Sequence, residues 1–539
     1  MNAGEIRQAV AQLLVVRASG HATDKQRRYP RWELSNNELE QLLGAGVGGV
    51  ILLGGTATEL QQRCRTLQRW AGQPILLCAD VEEGVGQRFE GASWLVPPMA
   101  LGRLHRRAPQ QAVQLAENYG RCCGNQAKRC GLNWVLAPVC DVNSNPDNPV
   151  INVRAWGEDP HTVGELTGAF QRGLAATGVL GCAKHFPGHG DTSTDSHLEL
   201  PLLQHSRERL ESLELQPFRT LIQEGISSVM TAHLLIPALD KQWPATLSAN
   251  VLTTLLRVDL GFKGLVVTDA LVMEAIAARY GAGEAAVLAF AAGADLILMP
   301  ADAAAAIDAL CAALRSGRVP MARLHDSLER RQAAVQSIPL TLDSGNNDHS
   351  IESAEERSLT LELVTQSLEI SNSSTAKEST QPNPIDGINL IRVDGVLPCP
   401  MLSADAPAIL LPKRLGFQSV LSHPLGISPW TDPADPLAPL ALDRLGQGPL
   451  LLQLFVRGNP FQANRSIREP WTDAIKQLID LNRLFGLVVY GSPYTWGVLS
   501  ARLPSSIPSA YRPGQMPDAQ QQLLERLLNP DPSPALSRL

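Results

Sequence analysis

The chain has 539 residues, 44% hydrophobic and 18% charged, which describes an ordinary soluble globular protein of two or three domains. Its formal net charge of −7 gives no electrostatic reason to bind nucleic acid or an anionic membrane. Nine cysteines without a C-x-x-C pair read as buried free thiols, no signal-peptide pattern opens the chain, and no apolar run is long enough to span a membrane, so a cytoplasmic location is expected.

From the start to about residue 336, short apolar runs alternate with helical patterns. Strands are expected at 11–16, 47–54, 74–80, 133–139, 179–186, 227–234, 264–269 and 294–300. Amphipathic segments lie between them. In the one at 160–177, Asp159 is the N-cap, Pro160 the first helical residue and Gly178 the stop. Val163, Leu166, Phe170 and Leu174 form its apolar stripe. Another runs over 284–292. Eight such strand–helix repeats suit an α/β fold of the (β/α)8 barrel type. A doubly wound open sheet is the alternative, since periodicity alone does not separate the two. The barrel is favoured by polar residues ending several strands: Asp80, Lys184 with His185, His233 and Asp269. A closed barrel brings such ends to one face.

The stretch 181–201, GCAKHFPGHGDTSTDSHLELP, packs Lys184, His185, His189, Asp191, Asp195 and His197 into fourteen positions. Pro187, Gly188, Gly190 and Pro201 break any helix, so a strand ending in charge should run into a polar active-site loop. A His-x-x-x-His spacing can also be a metal pair. Here Phe-Pro-Gly separates His185 from His189, and no Cys cluster or HExxH is near. No metal and no cofactor is expected.

Residues 337–386 turn polar and rich in Ser, Thr and Asn, and read as a linker around one helical pattern at 355–370. Beyond it GINLIRV, PAILLP, GPLLLQLFV and LFGLVVYG read as strands of a smaller α/β domain. A Pro- and Ser-rich tail follows, with one short helix at 520–528 that reads as peripheral. The expected organisation is a catalytic barrel over 1–336, the linker over 337–386, and the second domain with its tail over 387–539.

KHFPGHGDTSTDSH (184–197) closely resembles the signature of glycoside hydrolase family 3, in particular its bacterial β-N-acetylglucosaminidase branch. ADVEEGVGQRF (79–89), NVRAWGEDP (152–160), VMTAHL (229–234) and VVTDALVMEAI (266–276) are similar to four further segments of that family, in the same order. The C-terminal part resembles two-domain members only loosely, through INLIRVDGVLP. Some positions depart from the pattern. Glu83 and Val85 stand where Gly and Arg are usual, Ala155 and Trp156 where Ser and Phe are usual, and Ala270 and Val272 where Asp and Ser are frequent. These departures bear on substrate preference.

The resemblance implies a retaining glycosidase, which needs a nucleophile at the anomeric carbon and a proton donor at the leaving oxygen. It implies Asp269 as nucleophile and His197 as acid/base, oriented by Asp195. Histidine is unusual in this role, yet its ordinary pKa of ~6.5 suits neutral pH, and a neighbouring carboxylate favours the imidazolium. The resemblance further implies that Asp80, Arg88, Arg154, Lys184 and His185 grip the sugar. His233 is evenly balanced between sugar contact and support of the barrel mouth.

The implied activity is that of an exo-acting β-N-acetylglucosaminidase on GlcNAc-containing oligosaccharides or muropeptides, in peptidoglycan recycling. A β-glucosidase or β-xylosidase is the first alternative. Such relatives usually take their acid from a second-domain carboxylate, so Asp195-Ser196-His197 argues against it. A phosphorylase is the second, because an uncharged base repels phosphate less than a carboxylate does. A degenerate sugar-binding protein is the non-enzyme alternative, disfavoured by the intact set of catalytic residues.

Overall fold

In the computed structural model each of the eight apolar runs before residue 300 overlaps a strand, the first shifted three residues later than expected. These are β1 (Leu14–Ser19), β2 (Gly49–Leu53), β3 (Leu76–Ala79), β4 (Trp134–Val135), β5 (Cys182–Phe186), β6 (Ser228–Thr231), β7 (Leu265–Val267) and β8 (Ile297–Leu298). The structure describes residues 1–192, 200–339, 350–372, 386–395, 399–435, 437–457 and 469–528. They divide into two units, 1–145 with 154–360, and 146–153 with the remainder from 361.

In the first unit β1 pairs in parallel with both β2 and β8, β2 with β3, and β3 with β4. Likewise β5 pairs with β6, and β6 with β7. Parallel bridges from Trp134 to Leu180 and from Val139 to Lys184 join β4 to β5, and one from Val267 to Leu296 joins β7 to β8. The strands therefore close in chain order, which is a barrel and not an open sheet. Their residues are almost all buried, as expected of strands covered on both faces, and this is why they read as unbroken apolar runs.

The helices between them follow the sequence signals. The helix Pro160–Ala175 is capped by the Asp159 carboxylate, which accepts the Thr162 N–H at 2.9 Å. Such a cap contributes about 1 kcal/mol. Val163, Leu166, Phe170 and Leu174 are buried on its inner face. The segment expected at 284–292 is the helix Ala282–Ala292.

The second unit holds a six-stranded sheet. Its strands are β9 (Glu369–Asn372), β10 (Gly387–Val393), β11 (Phe417–Ser422), β12 (Leu450–Val456), β13 (Leu484–Gly491) and β14 (Ser509–Arg512). They lie in the order β11-β10-β12-β13-β14-β9, all parallel except β9. Alternate residues feed two cores. Leu390, Leu452 and Val489 face Trp430, Trp471 and Trp496, whereas Ile391, Phe455 and Tyr490 face Leu523 and Leu524.

Three expectations need correction here. PAILLP is not a strand but the start of the helix Pro407–Arg414. Six apolar residues fit either form, and Pro407 sits in the first helical turn, where a missing N–H is harmless. The helical pattern at 355–370 ends at Gln366, and its last residues enter β9. The terminal helix Pro517–Leu528 is not peripheral, because Ala519, Gln520, Leu523 and Leu524 are fully buried. Eight of the cysteines are buried free thiols, and Cys399 is half-buried. Among the described residues no helix is long and apolar enough to cross a membrane.

Candidate active site

Lys184, the middle residue of β5, has only 1% of its side chain exposed, so its charge needs partners. Its Nζ lies 2.8 Å from Asp80 Oδ1 and 2.6 Å from Glu82 Oε1, both just beyond the end of β3. Glu82 also accepts Arg154 through two N–H groups, Nε at 2.8 Å and Nη2 at 2.9 Å. Two carboxylates and two cations thus neutralise one another, with Lys184 and Glu82 buried and Asp80 partly exposed. Burial alone would raise Glu82, but Arg154 and Lys184 overrule it and hold the carboxyl well below its usual range. Asp80 follows the same logic: burial raises it, Lys184 and Arg88 lower it further, and it ends below its ordinary value. Lys184 and Arg154 are both raised, because their carboxylate partners outweigh burial. All four groups are charged at neutral pH.

Arg88 Nε donates to the Asp80 carbonyl at 3.1 Å. The Asp80 side chain keeps 37% of its surface exposed, and its Oδ2 has no partner among the described residues. A fixed carboxylate with a spare oxygen, beside guanidinium and ammonium donors, suits a ligand rich in hydroxyls.

Asp141 ends the run NWVLAPVCD and is fully buried. Its Oδ2 lies 2.7 Å from His185 Nδ1, and its Oδ1 accepts the His189 backbone N–H at 2.7 Å. The His185 backbone N–H also points at this carboxylate, at 3.2 Å and 3.3 Å. Asp141 therefore fixes both ends of the turn His185-Phe-Pro-Gly-His189. Burial would raise Asp141, but His185 and the hydrogen bonds hold it below its ordinary value. The turn leaves no space for side chains at Gly190, where a Cβ would sit 1.7 Å from the Val142 carbonyl oxygen. Burial pushes the His189 imidazole down to about 4, although Asp141 and Asp269 both raise it, so the ring is neutral. Its Nδ1 lies 2.8 Å from Thr192 Oγ1.

Asp269 follows β7 and is half-buried. Its Oδ1 accepts the N–H of Ala270 at 2.7 Å. The segment is held from both sides. Thr268 Oγ1 accepts the Leu298 N–H at 2.9 Å, and His233 Nε2 lies 3.1 Å from the Ala270 carbonyl, to which it donates. His233 Nδ1 lies 2.8 Å from Thr246 Oγ1. Both ring nitrogens of His233 are thus engaged by protein, and the ring braces the peptide after Asp269.

Of the residues singled out from sequence, Asp80, Arg88, Arg154 and Lys184 form one cluster. His185 adjoins it in the chain, and Asp269 lies within electrostatic reach of His189. Asp195 and His197 lie outside the described residues. Glu82 and Asp141, which the sequence reading did not single out, adjoin these groups, as does His189 of the 181–201 stretch. Asp141 carries the signal used for its neighbours, a carboxylate closing an apolar run. Glu82 lies two residues past Asp80, inside a segment already singled out. Among the described residues no cluster of His, Cys, Asp and Glu is arranged to hold a metal ion.

The N-terminal domain model of glycosyl hydrolase family 3 matches residues 5–334, and the bacterial C-terminal domain model of that family matches residues 380–529. The β-hexosaminidase A of Pseudoalteromonas piscicida is 37% identical over 286 residues, covering 49% of this chain and 47% of that protein. The chain thus matches about half the length of that relative. A β-hexosaminidase of Neisseria meningitidis serogroup C is 35% identical over 273 residues, 50% of this chain and 75% of that one. Among solved structures, a family 3 β-N-acetylglucosaminidase from Paenibacillus sp. is 29% identical with a TM-score of 0.77, over 97% of this chain and 96% of that one. NagZ from Neisseria gonorrhoeae is 28% identical with a TM-score of 0.53, over 66% of this chain and 97% of its own. The chain belongs to glycosyl hydrolase family 3.

Proposed function

We propose that the protein is a retaining, exo-acting β-N-acetylglucosaminidase that removes a terminal GlcNAc through a covalent glycosyl-enzyme intermediate. The observation that carries this reading is the combination of Asp269 at the end of β7 with the Asp80–Lys184–Glu82–Arg154 cluster at the end of β3 and within β5. In a parallel barrel these ends share one face.

In this reading Asp269 attacks the anomeric carbon, and His197, oriented by Asp195, protonates the leaving oxygen and later activates water. Asp80 accepts sugar hydroxyls while Arg88, Arg154 and Lys184 donate. His185, its Nδ1 turned to Asp141, offers Nε2 to the ligand. The relatives named as β-hexosaminidases and β-N-acetylglucosaminidase support GlcNAc as the sugar. The natural substrate is then a GlcNAc-terminated peptidoglycan fragment, met in the cytoplasm during cell-wall recycling.

Chromogenic β-glycosides of GlcNAc and glucose, each with and without phosphate, test the substrate and the acceptor. Preference for GlcNAc with phosphate-independent release is expected. A glucose preference, or a sugar phosphate as product, overturns the reading. The mechanism is tested by a 2-fluoro glycoside, which should label the peptide holding Asp269 and no other. Asp269→Ala should keep sugar binding and lose nearly all turnover.

A further inference from the structure

A cavity of about 630 Å³ opens at the other end of the barrel, before the first residues of β6 and β7. It is lined by the turn 225–227, the turn 261–264, and one face of the helix Met321–Ser337 that carries Arg330, Ala333, Ala334 and Ser337. All strands run the same way, so Asp269 lies at the opposite end of the barrel.

Positive charge is concentrated there beyond what pairing requires. Asp295 is fully buried and alone receives three guanidiniums. Arg323 Nη2 and Arg330 Nη1 each lie 3.0 Å from its Oδ1, and Arg257 Nη2 reaches its Oδ2. Arg323 is used up by Ser327 Oγ and by the carbonyls of Phe290 and Ala294. Arg330 is different. It lines the cavity, is 30% exposed, and gives one N–H to Asp295, so its Nε and Nη2 have no partner among the described residues. Lys263 stands exposed on the rim without an ion pair among the described residues. Glu329 is the one carboxylate on the lining, and Glu224 nearby is paired with Arg172 at 2.9 Å. Burial lowers Arg257 to about 10 despite Asp295, and Arg330 and Arg323 push it further down. Ile222, Ile226, Phe262 and Leu265 form an apolar wall, with Ser227 and Ser337 also on the lining.

We propose that this cavity binds a small organic phosphate monoester, its phosphoryl group held by Arg330 and Lys263 and its organic part laid on the apolar wall. A guanidinium whose Nε and Nη2 have no partner among the described residues, with an ammonium on the same lining, matches a dianionic phosphoryl group. The cavity is larger than inorganic phosphate needs, and the apolar wall favours an ester over the free ion. Occupation would also relieve the excess of cations around Asp295, so binding stabilises the last helix of the barrel against its strands.

Calorimetric titration of the full chain with phenyl phosphate and with inorganic phosphate tests this, each run repeated in saturating GlcNAc. Phenyl phosphate should bind more tightly than inorganic phosphate, and GlcNAc should not compete. Arg330→Gln should weaken binding at least tenfold. Ala333→Glu, at an exposed helical position, puts a carboxylate on the lining without touching the Asp295 cluster, and should abolish binding while leaving glycosidase kcat unchanged. Three results overturn the proposal: no saturable binding at millimolar phenyl phosphate, equal binding in Ala333→Glu, or competition by GlcNAc, which would move the ligand to the sugar site.

Discussion

Asp141 Oδ2 lies 2.7 Å from His185 Nδ1. The contact fixes the imidazole by its Nδ1–H and leaves Nε2 without a partner among the described residues. Asp141→Asn keeps the shape but weakens a hydrogen bond to a charged acceptor, worth about 1.5–3 kcal/mol. We expect kcat/KM to fall about tenfold to a hundredfold, mostly through KM, because His185 would lose its orientation and not its presence. An unchanged KM for GlcNAc glycosides would show that His185 does not need Asp141 to meet the sugar.

Glu82 holds Lys184 and Arg154 together, so its removal takes a carboxylate from two buried cations and leaves Lys184 with Asp80. Breaking a buried pair in this way costs about 3–5 kcal/mol, and Glu82→Gln should lower the urea midpoint accordingly. The pH dependence has a definite sign. The folded pKa of Glu82 lies well below its unfolded value. Its stabilisation is therefore complete above the ordinary carboxylate pKa of ~4.3 and is lost as the pH falls from there through the folded value. That acid limb should be shallower in Glu82→Gln.

His189 acts in a separate window. Its pKa is lowered to about 4 by burial, so between its ordinary ~6.5 and 4 the unfolded chain binds the extra proton. Stability should fall on the order of 3 kcal/mol as the pH drops across that window. His189→Gln should flatten the dependence there. The imidazole carbon resonance of His189 should show no titration near pH 6.5. A titration midpoint at its ordinary value would place the ring in water.

How much of this was legible in the sequence depends on where each signal resides. The barrel strands announce themselves because burial on both faces demands unbroken apolar runs, as in Leu14 to Val16 or Leu76 to Ala79. Asp80, Lys184 and Asp269 stand out by ending such runs. Glu82 does not, because its importance comes from Arg154 and Lys184, which lie 72 and 102 residues further along. Asp141 also closes an apolar run, but its role as an anchor comes from His185 and His189 of the next strand and loop, which the run itself does not show. The C-terminal helix reads as peripheral because Leu523 and Leu524 meet a core that includes residues of β10, β12 and β13, which no local pattern reveals.

The assignment of His197 as proton donor makes the most specific prediction. If it gives the proton, its loss should hurt substrates in proportion to the basicity of the leaving group. A sugar leaves as a strongly basic alkoxide, so His197→Ala should slow natural substrates by on the order of 10²–10⁴, the usual worth of general acid catalysis. A nitrophenolate needs little protonation, so its glycosylation step should lose far less. Turnover of that substrate would then be limited by deglycosylation, where His197 acts as base, and azide should restore it. Asp195→Ala should give a milder copy, since it removes only the orienting charge. The alkaline limb of kcat/KM should follow the imidazolium. Equal loss for both classes of substrate, with no rescue by azide, would make His197 a binding or structural residue. The acid would then be sought among the carboxylates of the second unit.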